Sequence, residues 1–455
     1  GKMIRQDEAR VSAVSFITVR MENTYPQGDV AACIPTQSPA GCYIKENNYH
    51  RLICDGCRMQ PTKITANCCI VGGEPAELML DNLLARAGLG VVVIEKHPDF
   101  LRDFRGDTIH PSTLEIMRQL GLLDELLSLP HQRAEKLQAE VAGQEITMAD
   151  FSRLPVQCRF IAFMPQWDFL NFLASKAAAF PGFTLLQSTA FDDLLYAEGR
   201  VSGVKTLQGN DTRIIHTSLV IGADGRNSQV RTKAGLQSKS FGSSRDVLWF
   251  RLGKQETDPE WGMGHKGPKQ NFIVIDRGDY WQCGYTIQKG QFDALKLAGL
   301  ERLKQVMAEV APFSAERMQQ LDDWDKLKLL SIRIDRLDQW MKPGVLCIGD
   351  AAHAMSPIGG VGVNLAIQDA VAAANCLTLP LKTGWVTLRD LQKLQQRRQF
   401  PTVATQFLQI KMSGNKRKRT TPSKVPQMIS RFPLLRHLFG RLIGLGFRTE
   451  RPRYL

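Results

Sequence analysis

The sequence predicts an α/β fold in which a βαβ domain carries an inserted β-sheet domain and a C-terminal helical segment. Three observations predict it. A strand, a helix and a strand follow one another between residues 67 and 95. Two later apolar strands, near 220 and 346, each run into a small-residue turn that bears an aspartate. Residues 241–334 hold segments that alternate apolar and polar side chains. With 455 residues, 43% of them hydrophobic, the chain can bury the cores of two or three domains, which excludes disorder of the whole.

Residues 1–65 come first and lack any sustained period; isolated apolar residues are mixed with Pro, Asn, Gln and Gly, which reads as a poorly ordered leader. No stretch reaches the roughly 18 consecutive apolar residues of a spanning helix, and the start has no basic, apolar, small-residue secretion pattern. Ten cysteines are too few and too irregular for a disulfide framework, so a reducing, cytoplasmic setting is expected. Cys54 and Cys57 have the gap of zinc ligands or redox dithiols, but no second pair stands at suitable spacing, and no metal site is expected.

The βαβ unit begins at Asn67-Cys68-Cys69-Ile70-Val71, a buried strand. Gly72-Gly73 turn the chain, residues 76–87 have a helical pattern, Gly88 stops it, and Val91-Val92-Val93-Ile94 form a second strand ending at Glu95. An acidic residue about twenty positions past the first glycine is the Rossmann-like arrangement, in which Glu95 would take the adenosine ribose hydroxyls. Of the glycine fingerprint only Gly72 stands in place, because the chain reads Gly72-Gly73-Glu74-Pro75-Ala76-Glu77. The missing glycines let backbone approach a pyrophosphate and let the helix pack on the sheet. Glu74, Glu77 and Asp81 instead put three acids at a helix end that should attract phosphate, each one middle-base codon change from glycine. At about 4 Å and an effective dielectric near 20, two like charges repel by roughly 4 kcal/mol. An alternative reading is therefore a copy deficient in cofactor binding, either a non-catalytic binding module or an inactive copy.

Two further turns follow. Ser218-Leu219-Val220-Ile221-Gly222-Ala223 delivers Asp224-Gly225, and Gly344-Val345-Leu346-Cys347-Ile348 delivers Gly349-Asp350-Ala351-Ala352-His353. Pro357-Ile358-Gly359-Gly360-Val361-Gly362-Val363-Asn364 then leads into a small-residue helix, and glycine-rich backbone at a helix start approaches a planar anionic ligand closely.

In this order and spacing, the βαβ unit with Glu95, Asp224-Gly225, and Gly349-Asp350 with Pro357 and Gly362-x-Asn364 resemble the FAD-dependent aromatic hydroxylases of the p-hydroxybenzoate hydroxylase type. The likeness is greatest to their branch of ubiquinone-biosynthesis hydroxylases and polyketide-tailoring oxygenases, and it runs from about residue 66 to the C-terminus. It implies an FAD-binding domain from segments 66–136, 158–238 and 335–410, and a substrate domain from 137–157 and 239–334. It also implies that Gly72 and Gly73 turn beside the cofactor, Asp350 binds the ribityl chain, and backbone at Gly359, Gly360, Gly362 and Asn364 faces the isoalloxazine. Asp224 and Gly225 would lie near the pyrophosphate. Arg105, in Phe104-Arg105-Gly106, matches an arginine that contacts FAD, and Gln166 a glutamine near the cofactor. No side chain is assigned a catalytic role.

The reaction so implied is NADH or NADPH reduction of flavin, formation of a C4a-hydroperoxyflavin with oxygen, and hydroxylation of an aromatic, quinone-like or polyketide-like substrate. Trp249, Phe250, Trp281 and Tyr285 are pocket candidates in the alternating segments. His353 reads as a support of its loop.

The net charge of +13 is concentrated: residues 411–455 carry 12 Lys and Arg against one acid, and residues 67–410 carry 38 of each sign. A basic tail with a helix reads first as a helix packed on the main domain beside a solvated charged loop and, alternatively, as peripheral contact with an anionic membrane. Nucleic-acid binding is not expected.

Overall fold

The computed structural model describes residues 42–46, 49–53, 63–101, 108–141, 144–256, 258, 264–266, 271–311, 313, 315–413 and 431–454. Two units are distinct, Gly1–Gln60 and Pro61–Leu455. In the first, β1 (Cys42–Glu46) and β2 (Tyr49–Ile53) pair as an antiparallel hairpin.

The second unit opens with β3 (Lys63–Val71), α1 (Pro75–Arg86) and β4 (Val91–Ile94). Strand β3 starts ahead of Asn67 because its partner is long and pairs with it from Ile214↔Lys63 to Gly222↔Val71. Next come β5 (Thr108–Ile109), α2 (Pro111–Gln119), α3 (Leu123–Leu127), β6 (Gln132–Ala134), β7 (Lys136–Val141), β8 (Gln144–Asp150), β9 (Ile161–Phe163) and α4 (Gln166–Ala177). The run β10 (Phe183–Leu186), β11 (Ala190–Ala197), β12 (Arg200–Gln208), β13 (Asp211–Gly222), α5 (Gln229–Lys233) and β14 (Ser238–Ser240) follows. Then come β15 (Arg245–Gly253), β16 (Gly264–Lys266), β17 (Asn271–Asp276), β18 (Tyr280–Gln288), α6 (Phe292–Ala298) and α7 (Leu300–Ala308). The chain closes with β19 (Lys328–Leu330), β20 (Asp335–Leu337), β21 (Met341–Lys342), β22 (Val345–Cys347), α8 (Val361–Lys382), α9 (Leu388–Ser413) and α10 (Pro433–Gly444).

The main sheet has the order β10-β4-β3-β13-β12-β11, with β22 beside the end of β13. Strands β10, β4, β3, β13 and β22 are parallel, and their last residues lie in register: Leu186 with Ile94, Ile94 with Val71, Val71 with Gly222, Gly222 with Cys347. Apolar runs such as Val91-Val92-Val93-Ile94 suit strands covered on both faces. Helix α1 packs between α4 and α8, so even Glu77, Asp81 and Asn82 are buried.

The second sheet runs β19-β15-β18-β17-β16-β7-β8, drawing its hairpin β7–β8 from well before the other strands. Alternation divides its faces. Phe250, Phe272, Trp281, Cys283 and Tyr285 form one core with Leu303 and Met307 of α7. Val247, Trp249, Ile273 and Ile275 occupy the opposite face with Ile332, Ile334 and Ile410 of α9. Of the four aromatic pocket candidates, three therefore belong to the core beneath α7, and Trp249 alone shares the other face. Its indole lies across Gly284, where an added Cβ would stand 3.0 Å from the ring.

Helix α10 spends part of its apolar side on the protein. Phe439 and Ile443 join Ala149, Phe151, Leu154 and Ile161, and Gly440 passes against the backbone of Asp150. Peripheral membrane contact is not supported, and no helix among the described residues is long and apolar enough to cross a membrane.

Candidate functional site

The register of the parallel strands gathers Gly72, Glu95, Asp224 and Gly349 at one sheet edge, each within two residues of a strand end. Loops leaving the carboxyl ends of such strands, on either side of a change in direction, are where α/β sheets bind ligands.

Gly72 stands at φ +129°, and its N–H donates to the Ile94 carbonyl at 2.8 Å, holding the loop against β4. A Cβ on Gly72 would fall on the Glu77 carboxyl, and one on Gly73 would fall on the Glu95 carboxyl, so acidic side chains fill both glycine gaps. The Glu74 N–H donates to Glu77 Oε2 across the first turn of α1, while Glu77 Oε1 is buried without a hydrogen-bond partner. Burial first, then the charges of Glu74, Glu95, Asp224 and Asp81, push the Glu77 carboxyl well above the usual range. Asp81 is likewise raised by burial, and neither of its oxygens has a hydrogen-bond partner. Glu95 accepts from the His97 N–H at 2.9 Å at the end of β4.

Asp224 is occupied locally. Its carboxylate accepts from Ser228 Oγ at 2.5 Å, Gln229 N at 2.6 Å and Val230 N at 3.2 Å, tying the turn to the start of α5. Burial nevertheless lifts it above the ordinary aspartate value. Gly225, at φ +80°, lets this turn pass the Glu74 carboxyl, which would stand 3.0 Å from a Cβ there. Arg226, the next residue, donates Nε to Asp350 Oδ2 at 2.9 Å. The Gly349-Asp350 turn is wedged between helices: a Gly349 Cβ would meet Ala366 of α8 at 3.3 Å and Ala76 of α1 at 3.4 Å.

Behind that turn lies a buried charge network. Asp369 of α8 accepts from His353 Nε2 at 2.5 Å, Arg398 Nε at 2.8 Å and the Gly349 N–H at 3.3 Å. Burial alone would raise the Asp369 carboxyl, but His353 and Arg398 hold it below the usual range. Arg398 also reaches toward Glu450 at 4.0 Å, and Arg397 clamps Glu450 at 2.6 Å. The one acid of the basic tail is thus docked on α9.

The third loop contains Gly359 and Gly360 at φ +79° and +63°, following Pro357, whose carbonyl accepts from the Gly360 N–H at 3.0 Å. A side chain at Gly360 would strike Thr108 Oγ1 at 2.5 Å. Gly362 has only Met355 near its open side, at 3.8 Å. The Asn364 side chain is used within the protein: Oδ1 accepts from the His110 N–H at 3.0 Å and Thr113 Oγ1 at 2.7 Å. Any ligand contact at this position falls to backbone. His110 donates Nδ1 to the Ile443 carbonyl of α10 at 2.8 Å, and burial pushes its ring down to about 4, so it is neutral.

Gln166 is buried as the first residue of α4. Arg105, and Cys54 with Cys57, lie outside the described residues. Three supports of these loops escape sequence reasoning: Arg226 as the partner of Asp350, Thr108 and His110 as the backing of Gly360, and Asp369 with Arg398 behind Gly349. Their partners are 124, 252 and 20 residues away in sequence, so no local pattern marks them.

The third loop suits a flat, polar ring: two left-handed glycines leave bare backbone, and the first N–H groups of α8 have no partner within the helix. The first loop suits a diphosphate only when the Glu77 carboxyl gives way. The fold is that of an α/β protein of dinucleotide-binding type. The chain belongs to the FAD binding domain family, whose match runs over residues 65–407, and FAD is its cofactor. It is 31% identical over 392 residues to 6-methylpretetramide 4-monooxygenase of Streptomyces rimosus, covering 85% of this chain and 93% of that protein. Identity to the 3-demethoxyubiquinol 3-hydroxylase of Escherichia coli is 26%, over 74% of this chain and 86% of the relative. Among solved structures, an anhydrotetracycline hydroxylase of Streptomyces rimosus superposes with a TM-score of 0.68 at 19% identity, covering 84% of this chain and 76% of the other. A p-nitrophenol 4-monooxygenase of Pseudomonas putida gives 0.67 at 17% identity, covering 84% and 99%. The chain is an FAD-dependent monooxygenase by family. The family match spans the acidic loop, and the alternative of a copy without cofactor is not supported.

Proposed function

We propose that this protein hydroxylates a fused-ring aromatic or polyketide-like substrate, using oxygen and NADH or NADPH. The observation that carries this reading is the nearly end-to-end likeness to the 6-methylpretetramide 4-monooxygenase, at an identity above that of the 3-demethoxyubiquinol 3-hydroxylase. When bound, FAD supplies the redox and oxygen chemistry, and the chain supplies position and exclusion of water. Asp350, oriented by Arg226, would hold the ribityl hydroxyls; Glu95 would hold the adenosine ribose; backbone of residues 359–364 would carry the ring. Gly72, Gly73, Asp224 and Gly225 would surround the diphosphate, and Gln166 would stand near the cofactor from α4.

Segments 66–136, 158–238 and 335–410 are proposed as the FAD part, and 137–157 with 239–334 as the substrate part. Helix α9 supports the link: Gln409 donates to the Ser356 and Ile358 carbonyls beside the third loop, and Ile410 packs under the Trp249 face of the second sheet. That face, with the Trp249 indole laid across Gly284, would give a ring substrate its apolar wall.

The test is oxidation of NADH or NADPH by the FAD-loaded protein with polycyclic phenols under labelled oxygen. One labelled oxygen atom in a hydroxylated product is expected; reductant oxidation that no aromatic compound stimulates or couples to product overturns the reading.

A further inference from the structure

We propose that Glu77 is a built-in occupant of the diphosphate subsite, and that FAD displaces it with uptake of one proton onto its carboxyl. This inference rests on the FAD reading above.

A helix N-terminus attracts anions because its first N–H groups are unpaired within the helix. In α1, a helix of 12 residues, that place is already filled from inside: the Glu77 side chain folds back on its own first turn and takes the Glu74 N–H. Its other oxygen is directed to the gap over Gly72, which lies 3.1 Å, as Cβ, from Asp224 Cα in the neighbouring turn. That oxygen is buried with no hydrogen-bond partner. A carboxyl that is fully covered, half satisfied and set in the gap of a glycine turn is a stand-in for the group the turn is shaped to receive.

The surroundings decide the charge on the incoming form. Glu77 faces Glu74 and Asp81 on its own helix, Glu95 at the end of β4 and Asp224 after β13. The nearest cations answer other acids: Arg226 pairs through Nε with Asp350 and is drawn toward Glu74, its Nη1 buried without a hydrogen-bond partner, and His97 stands 3.9 Å from Glu95. The charges that act on Glu77 are all acids. The neutral acid removes that repulsion and converts an acceptor into an O–H donor for a phosphate oxygen. Linkage then fixes the sign. Binding favours the protonated form, so affinity is greatest at low pH and falls as pH rises through the carboxyl's value in the free protein. One coupled proton limits the slope to tenfold per pH unit.

The experiment is titration of the full chain with FAD from pH 5.5 to 9, followed by flavin fluorescence quenching, with Glu77→Gln and Glu77→Gly in parallel. The wild type is expected to lose between tenfold and a hundredfold in affinity across this range. Glu77→Gln, neutral and of the same shape, should vary less than threefold, and Glu77→Gly should bind more tightly than the wild type above pH 7. A wild-type affinity that is flat with pH, or a slope that persists in Glu77→Gln, overturns the inference while leaving FAD as the cofactor. Failure of the wild type and both variants to quench flavin at any pH, with all three folded by circular dichroism, instead removes the FAD reading on which it rests.

Discussion

Replacing Asp369 by asparagine tests how the Gly349-Asp350 turn is held. Asp369 is fully buried and is the nearest anion to Arg398, a guanidinium whose side chain is only 1% exposed. Asparagine keeps the shape but removes the charge, leaving Arg398 with Glu450 at 4.0 Å as its remaining counter-ion. Breaking a buried pair from one side costs about 3–5 kcal/mol, because the other charge stays desolvated. That is a large share of the roughly 5–15 kcal/mol that stabilises a typical protein. For a unit of this size each kcal/mol shifts the melting temperature by about 1 °C, so thermal unfolding should begin about 3–5 °C lower. The double variant Asp369→Leu with Arg398→Met should lose less than Asp369→Asn alone, since no charge is stranded. The carboxyl is held below its usual value, so its contribution is present above the unfolded aspartate range and is lost on acidification. The gap between wild type and Asp369→Asn should therefore narrow below about pH 4. A loss under about 1 kcal/mol at pH 7, or a double variant worse than the single one, would refute the reasoning.

Three other outcomes follow from the same geometry. Asn364→Ala strands the buried His110 N–H and should cost about 2–4 kcal/mol in chemical denaturation while weakening flavin binding; an unchanged midpoint would show that the loop finds other partners. Trp249→Leu should raise KM for a ring substrate, whereas Tyr285→Phe, which removes a buried hydroxyl without a partner on the other face of the sheet, should leave turnover and stability unaltered; equal effects of the two would contradict the division of faces. Asp258 accepts both Arg317 amino groups at 2.8 Å and Trp281 Nε1 at 2.7 Å, and chiefly through Arg317 its carboxyl lies far below the usual range. Asp258→Asn should cost about 2–3 kcal/mol at pH 7, and the difference should fade as pH drops below about 4, which paired denaturation curves at the two pH values would check.

The parts of the fold carried by local pattern were legible in the sequence. The α/β class followed from Val91-Val92-Val93-Ile94 and its counterparts, whose uninterrupted apolar character suits strands covered on both faces. Alternation in Tyr280-Trp281-Gln282-Cys283-Gly284-Tyr285 revealed a strand, but a period of two says nothing about which face meets which neighbour. That period makes Trp281 and Tyr285 pocket candidates, whereas α7 covers them in the core. The glycine turns mark a candidate ligand cradle, yet the parts that brace these turns come from distant segments. Arg226 finds Asp350 because β13 and β22 end side by side, and Asn364 reaches His110 because α8 starts against β5 and α2. The acidic loop is visible as an anomaly; the turn of Glu77 back onto Glu74 follows the three-residue spacing of a capping box, a cue that the search for missing glycines passes over.

The most direct measurement is the visible absorption spectrum of the purified chain after incubation with excess FAD near pH 6 and passage through a desalting column, with the retained flavin released and quantified. About one FAD per chain, in a spectrum bleached by NADH or NADPH and restored by oxygen, is the predicted result. A folded chain that retains no flavin, or one whose bound flavin neither nicotinamide reduces, would contradict an FAD-dependent monooxygenase.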